Sequence, residues 1–328
     1  MAFEERPKPE PGPGEVQVKT RVVALCGSDI HLYNGTHPYR TYPMIFGHEA
    51  SGWVTQVGEG VSELSEGDHV VLEPCIWCGE CYPCSIGRYN CCSRMRTIGV
   101  TEPGALADFY VAPARALHKV PKDLSPQAAS LCEPHSVGFH ANARGGISEN
   151  DQVIVIGAGP IGLTVLEGAK QRGAQVAIID LIDRRLEIAR RMGADLTINA
   201  NQADPVETIR EWTGGNMASV VVEAVGQPKT IESTIQLVAD GGRVVIAGVT
   251  EEFFSLRGVD ITKKELTIYG SRNNLGVFKD AVEYVTNNAD LAATMITREY
   301  PFEDAIEAFE TTLAHPEQVC KVVINFET

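Results

Sequence analysis

The chain has 328 residues, a formal net charge of −15 at pH 7 and 44% apolar residues. That length exceeds what one hydrophobic core commonly serves, so two domains are expected, and the apolar content argues against disorder. The acidic balance excludes a nucleic acid or an anionic membrane as the main partner and leaves a small molecule. No apolar run approaches a membrane span, and the N-terminus carries no secretion signal. The nine cysteines therefore read as thiols and metal ligands in a cytoplasmic protein rather than as disulfides.

In chain order, the proline-rich stretch 7–14 is a surface lead-in, since each proline removes a donor and restricts the residue before it. Glu15 to Ala24 alternates Val16, Val18, Thr20 and Val22 on one side and predicts a strand. It delivers Cys26-Gly-Ser-Asp-Ile-His31, where Ser28 is expected to cap a short helix carrying His31. Phe46-Gly47-His48-Glu49 follows. Alone, its His-Glu pair reads as a solvated or hydrogen-bonded pair, and Gly52 stands where a helical zinc-protease motif needs a second histidine. With Cys26 upstream and Glu133 downstream, however, the chain offers one thiolate, one imidazole and two carboxylates. That set suits an open zinc site with a position left for water or substrate. Ala50–Val57 and Asp68–Glu73 read as further strands.

Cys78, Cys81 and Cys84 recur at every third residue and Cys92 follows, with Gly79, Pro83 and Gly87 letting the backbone fold round an ion. Four thiolates on a short loop with little core of its own match a closed tetrahedral zinc site, two disulfides being the alternative. Cys75 and Cys91 lie off the spacing and are read as bystanders.

From Asp151 the character changes. Val153–Ile156 is the continuous apolar run of a strand buried on both faces, and Gly157-Ala-Gly-Pro-Ile-Gly162 leads from it into a helical segment, 163–172. A second strand, 174–179, ends in Asp180. This context predicts a dinucleotide site at Gly157, Gly159, Pro160, Ile161, Gly162 and Asp180: the glycines admit the pyrophosphate at a helix N-terminus and the acid accepts bonds from ribose hydroxyls. Asp180 favours NAD. Arg184 and Arg185 could accommodate a 2′-phosphate, which keeps NADP as the alternative. Strands at 196–199, 219–223, 242–248 and 266–270, with helices at 204–212, 228–239 and 277–287, complete a six-stranded doubly wound sheet. Lys321–Asn325 reads as a last strand returning to the first domain.

With these motifs in this order, the chain resembles the zinc-dependent medium-chain alcohol dehydrogenases over nearly its whole length, and most nearly their polyol (sorbitol-like), sugar-acid and threonine dehydrogenase branch. The resemblance implies an α/β protein: a GroES-like β-rich catalytic domain, 1–136 with 277–328, and a Rossmann coenzyme domain with a doubly wound parallel sheet, 137–276. Substrate would enter between the domains of a dimer or tetramer. It implies Cys26, His48 and Glu49 as ligands of a catalytic zinc, with Glu133 as a further ligand or the holder of its water. The second zinc, held by Cys78, Cys81, Cys84 and Cys92, would be structural. Ser28 and His31 would relay the proton, Arg185 would meet the coenzyme, and Arg272 would face a polyhydroxylated or acidic substrate. The implied reaction passes hydride from a secondary alcohol to NAD and gives a ketone. Threonine, butanediol or simple-alcohol dehydrogenases are the alternatives, and a non-catalytic dinucleotide-binding protein a remoter one. Three departures stand out. Members usually carry one more strand before Phe3–Pro7, so the chain is expected either to be truncated or to start late. His135 replaces a small or apolar residue and is expected either to alter substrate preference or to stand as a surface or supporting histidine, and Asp29 is expected to brace the turn beside Ser28.

Overall fold

The computed structural model describes residues 1–38 and 42–327. It divides into two compact units, Met1–Glu133 with Leu275–Thr328, and Pro134–Asn274. The first unit begins with strands β1 (Glu15–Ala24), β2 (Glu49–Val57), β3 (His69–Leu72), β4 (Cys75–Ile76), β5 (Arg96–Thr97), β6 (Phe109–Pro113) and β7 (Leu117–Lys119). The second unit holds β8 (Gln152–Ile156), β9 (Gln175–Asp180), β10 (Leu196–Asn199), β11 (Ala218–Glu223), β12 (Val238–Ile246) and β13 (Thr267–Gly270). The chain then returns to the first with β14 (Ile296–Pro301) and β15 (Lys321–Asn325).

In the first unit one sheet runs β14-β15-β1-β2-β3-β7, with β6 also paired to β1. β1 thus meets three strands, all antiparallel, and register shifts after Gln17 and Thr20 bend it from one partner toward the next. This explains why the alternation read from its sequence understates its burial. Gln17 and Val23, off that alternation, are buried too, and the buried polar groups find partners: Gln17 Oε1 accepts from Thr55 Oγ1 at 2.7 Å, and Thr20 Oγ1 donates to Ala105 O at 3.1 Å. The core under this sheet gathers Val16, Val18, Leu32, Leu72, Phe309 and Ile324.

The second unit is a six-stranded sheet in the order β10-β9-β8-β11-β12-β13 with every pairing parallel. Five of the strands lie within a residue of the predicted bounds, whereas β12 starts at Val238, four residues before the predicted 242, and takes in the end of the predicted helix 228–239. Val153, Ile154 and Val155 have no exposed surface, as a strand covered on both faces requires. The strand order reverses between β8 and β11, and in such sheets ligands bind outside the carboxyl ends at that switch point. Among the described residues no helix is long and apolar enough to cross a membrane.

Candidate zinc centres and dinucleotide pocket

β1 runs into Cys26, and the helix Gly27–Tyr33 starts directly after it. Cys26, not Ser28, occupies the cap position. The reason is Asp29: its fully buried carboxylate accepts from Cys26 N at 2.9 Å and from Gly47 N at 3.2 Å, closing the helix start and tying it to the turn that carries His48. Asp29 braces the turn as expected. Ser28 lies inside the first turn, with Oγ 3.4 Å from His48 Nε2. The outcome is that the ligand atoms of Cys26, His48 and Glu49 all lie within 4.8 Å of one another. This set of thiol, imidazole and carboxylate fits an open zinc site.

The surroundings of the three are strongly charged. His48 Nδ1 stands 3.5 Å from Asp29 Oδ1, an ion-pair distance longer than a good hydrogen bond. Burial works against a charged ring there, but Asp29 and then Cys26 outweigh it and hold His48 well above the usual histidine range. Glu49 is anchored from the far end of the chain. Lys321, 1% exposed, donates to both Glu49 oxygens at 2.8 and 2.7 Å and to Leu25 O at 3.1 Å. Sequence reasoning missed this lysine, whose only signal is a charge leading an apolar strand. Glu133, in the first turn of the helix Cys132–Gly145, keeps some accessible surface yet is enclosed enough that burial, with Glu49 and Asp29, pushes its carboxyl up to about 7 against the pull of His48 and Lys321. It stands outside the 4.8 Å trio.

Other expected residues lie elsewhere. His31 is exposed, its Nδ1 2.8 Å from Thr36 Oγ1. Arg272 is exposed in the loop that follows β13. His135 is neither a surface residue nor open to substrate: it has no exposed surface, and its Nε2 lies 2.7 Å from Glu167 Oε2, equally buried.

In the cysteine loop, Sγ atoms stand 3.4 Å apart for Cys81 and Cys84, 3.7 Å for Cys81 and Cys92, and 3.5 Å for Cys92 and Cys78. Four zinc–sulfur bonds of about 2.3 Å would set tetrahedron edges of roughly 3.8 Å, so the cage fits. A disulfide needs about 2.05 Å, and all nine cysteines are free. Backbone bonds at Cys84 and Ser93 bring Cys81 down to about 6, whereas burial and the neighbouring thiols push Cys84 up to about 12. Cys92 Sγ accepts from Cys78 N and Arg94 N, each at 3.4 Å.

In the second unit, a cavity of about 590 Å³ is lined by Gly157, Gly159, Asp180, Arg185, Val225 and Thr230, among others. The glycine turn leads into the helix Pro160–Gln171, whose first intrahelical donor is Leu163 N to Gly159 O at 2.9 Å. Pro160 has no N–H, and the amides of Ile161 and Gly162 remain for a phosphate. A Cβ on Gly162 would stand 1.8 Å from Gly157 O, so only glycine allows this turn to close. Asp180 accepts from Ala158 N at 2.7 Å through one oxygen, and from Leu181 N at 2.7 Å and Ile182 N at 3.0 Å through the other. Its carboxylate is thus held rigidly at the cavity wall, with lone-pair capacity left for a ribose hydroxyl.

A β-rich unit with two groups of side chains that could hold metal ions, and a doubly wound unit with a cavity beside a glycine turn, are the arrangement expected of an alcohol dehydrogenase. Residues 12–122 match the family model for the alcohol dehydrogenase GroES-like domain, and residues 160–287 the one for zinc-binding dehydrogenase. The chain is 33% identical to L-galactonate-5-dehydrogenase of Escherichia coli, over 99% of its length and 96% of that enzyme's. It is likewise 33% identical to sorbitol dehydrogenase 1 of Saccharomyces cerevisiae, over 99% of its length and 94% of the relative's. A crystal structure of a short chain alcohol dehydrogenase (rspB) from Escherichia coli CFT073, complexed with NADH, superposes with a TM-score of 0.90 at 34% identity, covering 98% of this chain and 94% of that one. This chain belongs to the zinc-dependent medium-chain alcohol dehydrogenase family, and it is an oxidoreductase acting on alcohol CH–OH groups.

Proposed function

We propose that the enzyme oxidises a secondary hydroxyl of a polyol or sugar acid to a ketone, with NAD as hydride acceptor. The observation that carries this reading is the convergence of Cys26, His48 and Glu49 within 4.8 Å. Likeness to an L-galactonate and a sorbitol dehydrogenase supports the substrate class. Likeness extends both to an NADH complex and to an NADP complex, so the choice of NAD rests on Asp180, whose carboxylate would repel a 2′-phosphate. On this reading residues 1–136 with 277–328 do the chemistry and residues 137–276 hold the coenzyme. A cytoplasmic homo-oligomer is the proposed form. β13, which has a single neighbour at its end of the sheet, supports self-association, and sedimentation of a monomer would exclude it.

Cys26, His48 and Glu49 would hold the catalytic zinc, and Cys78, Cys81, Cys84 and Cys92 the structural one. When bound, the catalytic ion supplies the positive charge that lets an alcohol release its proton near neutral pH. The chain's own residues do the rest. Asp29 orients His48, and Lys321 anchors Glu49. Glu133, with its carboxyl near 7, can hold or yield a proton at neutral pH and could serve as a further ligand. Ser28 can accept one proton and donate another, and His31, exposed on the same helix, can pass it to solvent. Arg272 is the residue proposed to select a hydroxylated or acidic substrate.

The test is formation of reduced coenzyme by zinc-loaded protein with NAD and with NADP, across polyols, sugar acids, threonine, butanediol and simple alcohols. Polyols or sugar acids with NAD should give the fastest turnover, and Cys26→Ala should lose both turnover and one of two zinc ions. Preference for a simple alcohol would overturn the substrate class, and full activity in Cys26→Ala would overturn the zinc site.

A further inference from the structure

At the carboxyl end of β11, beside the switch point, Glu223 is fully buried. Its Oε1 accepts three hydrogen bonds, from Val225 N and Gly226 N at 2.9 Å each and from Thr230 Oγ1 at 2.7 Å. These three donors span the turn from β11 into the helix Pro228–Leu237. Ala224, Val225, Gln227 and Thr230 of that same segment face the 590 Å³ cavity, whereas Glu223 does not. The carboxylate therefore grips the cavity wall from behind.

A second contact fixes where that wall sits. Glu223 O accepts from Ala247 N at 2.9 Å and Gly248 N at 3.0 Å, which joins β11 to the end of β12. There Gly226, at φ +80°, and Gly248 pack backbone against backbone. A Cβ on Gly248 would stand 2.1 Å from Gly226 N and 2.5 Å from Glu223 Oε2. No side chain larger than hydrogen fits, so the turn has one seat. Among the described residues nothing donates to Oε2; the grip is made by one oxygen, as an acceptor.

We propose that Glu223 is a positioning residue of the dinucleotide site, its carboxylate oxygen holding the Ala224–Thr230 wall in the shape that receives the coenzyme. The proposal rests on the reading of this cavity as the coenzyme site. A glutamine can present its carbonyl oxygen to the same three donors. A leucine of similar size leaves the Val225 and Gly226 amides without their acceptor and the Thr230 hydroxyl with Gln227 O alone, a cost the turn can relieve by opening toward water and reshaping the wall.

The experiment is calorimetric binding of NAD and of ADP-ribose to the full, zinc-loaded chain, as wild type, Glu223→Gln, Glu223→Leu and Gly248→Ala, with zinc content and melting temperature measured alongside. Glu223→Gln should bind both ligands within about threefold of wild type, while Glu223→Leu and Gly248→Ala should bind them roughly tenfold or more weakly, well below their melting temperatures and with two zinc ions retained. If Glu223→Leu does not fold, Gly248→Ala decides, because it leaves the carboxylate in the chain while its Cβ crowds both Gly226 N and Glu223 Oε2 and so displaces the same wall. Wild-type affinity in Glu223→Leu or in Gly248→Ala would overturn the proposal. So would a Glu223→Gln variant as weak as Glu223→Leu, which would mean that charge rather than the acceptor matters. Wild-type protein that binds neither ligand would overturn the coenzyme reading, and this proposal with it.

Discussion

Lys321 and Glu49 are 272 residues apart in sequence and bonded through both carboxylate oxygens in the fold. Both are nearly devoid of exposed side-chain surface, at 2% and 1%. Removing one partner of such a pair strands the other charge in a poorly polarisable interior. Lys321→Met should therefore destabilise the zinc-stripped protein by on the order of 3–5 kcal/mol, and Lys321→Arg by much less. Urea unfolding followed on the first unit's transition measures this, and a Met variant as stable as wild type would show that the pair contributes nothing. This is also the scale at which the sequence is least informative. Cys26, His48 and Glu49 stand out because metal-binding residue types are few and come in company. Lys321 and Glu223 carry no such mark, since a lysine before an apolar run or a glutamate ending one is ordinary. Ser28 misled for a related reason: serine is the commoner cap, but Asp29 reaches the Cys26 amide and closes the helix start instead.

At the scale of elements the second unit was nearly transparent to sequence. Its central strands β8, β9 and β11 are nearly continuous apolar runs because they are covered on both faces, and its helices alternate with the strands. The first unit was not: β6 and β7 are short, and β1 is buried by three partners that periodicity does not name. One element junction makes a measurable difference. Just before β8, Asp151 accepts from Ser148 N at 2.8 Å and Ser219 Oγ at 2.7 Å and pairs with Arg243 of β12, joining the amino ends of β8 and β11 to the middle of β12. Burial would raise its carboxyl, but Ser219, Ser148 and Arg243 outweigh that and hold it below the ordinary 3.8. A depressed carboxyl contributes stability that is fully present above its unfolded pKa and lost as pH falls through the folded one. Asp151→Asn should thus be less stable than wild type at neutral pH, with the gap closing only below about 3.8. Unfolding curves of the second unit across pH test it, and a gap that stays constant into strong acid would exclude the carboxylate as its source.

On the scale of the whole molecule the two units differ in how far apart their contacts lie along the chain. The second is built of neighbouring strand-helix-strand steps within Pro134–Asn274, whereas the first joins β1 to β15 across almost the full sequence. Non-local pairing pays its loop-closure entropy before it is rewarded, so the second unit should acquire protection first. Pulse-labelled hydrogen exchange during refolding would show amides of β8, β9 and β11 protected before those of β1 and β15, and the reverse order would refute the argument.

That pairing bears on how the protein is made in a cell. A ribosome releases β1 long before β15, so the sheet that cradles Cys26 and Glu49 lacks one of the partners of β1 through that interval, and Lys321 arrives with it. Until then the nascent chain would display an incomplete metal pocket in which Glu49 has no counter-charge, while the second unit between the two segments is already able to form. Premature capture of a metal ion, or of another strand, is then a hazard confined to the growing polypeptide, and it ends when Lys321–Asn325 docks.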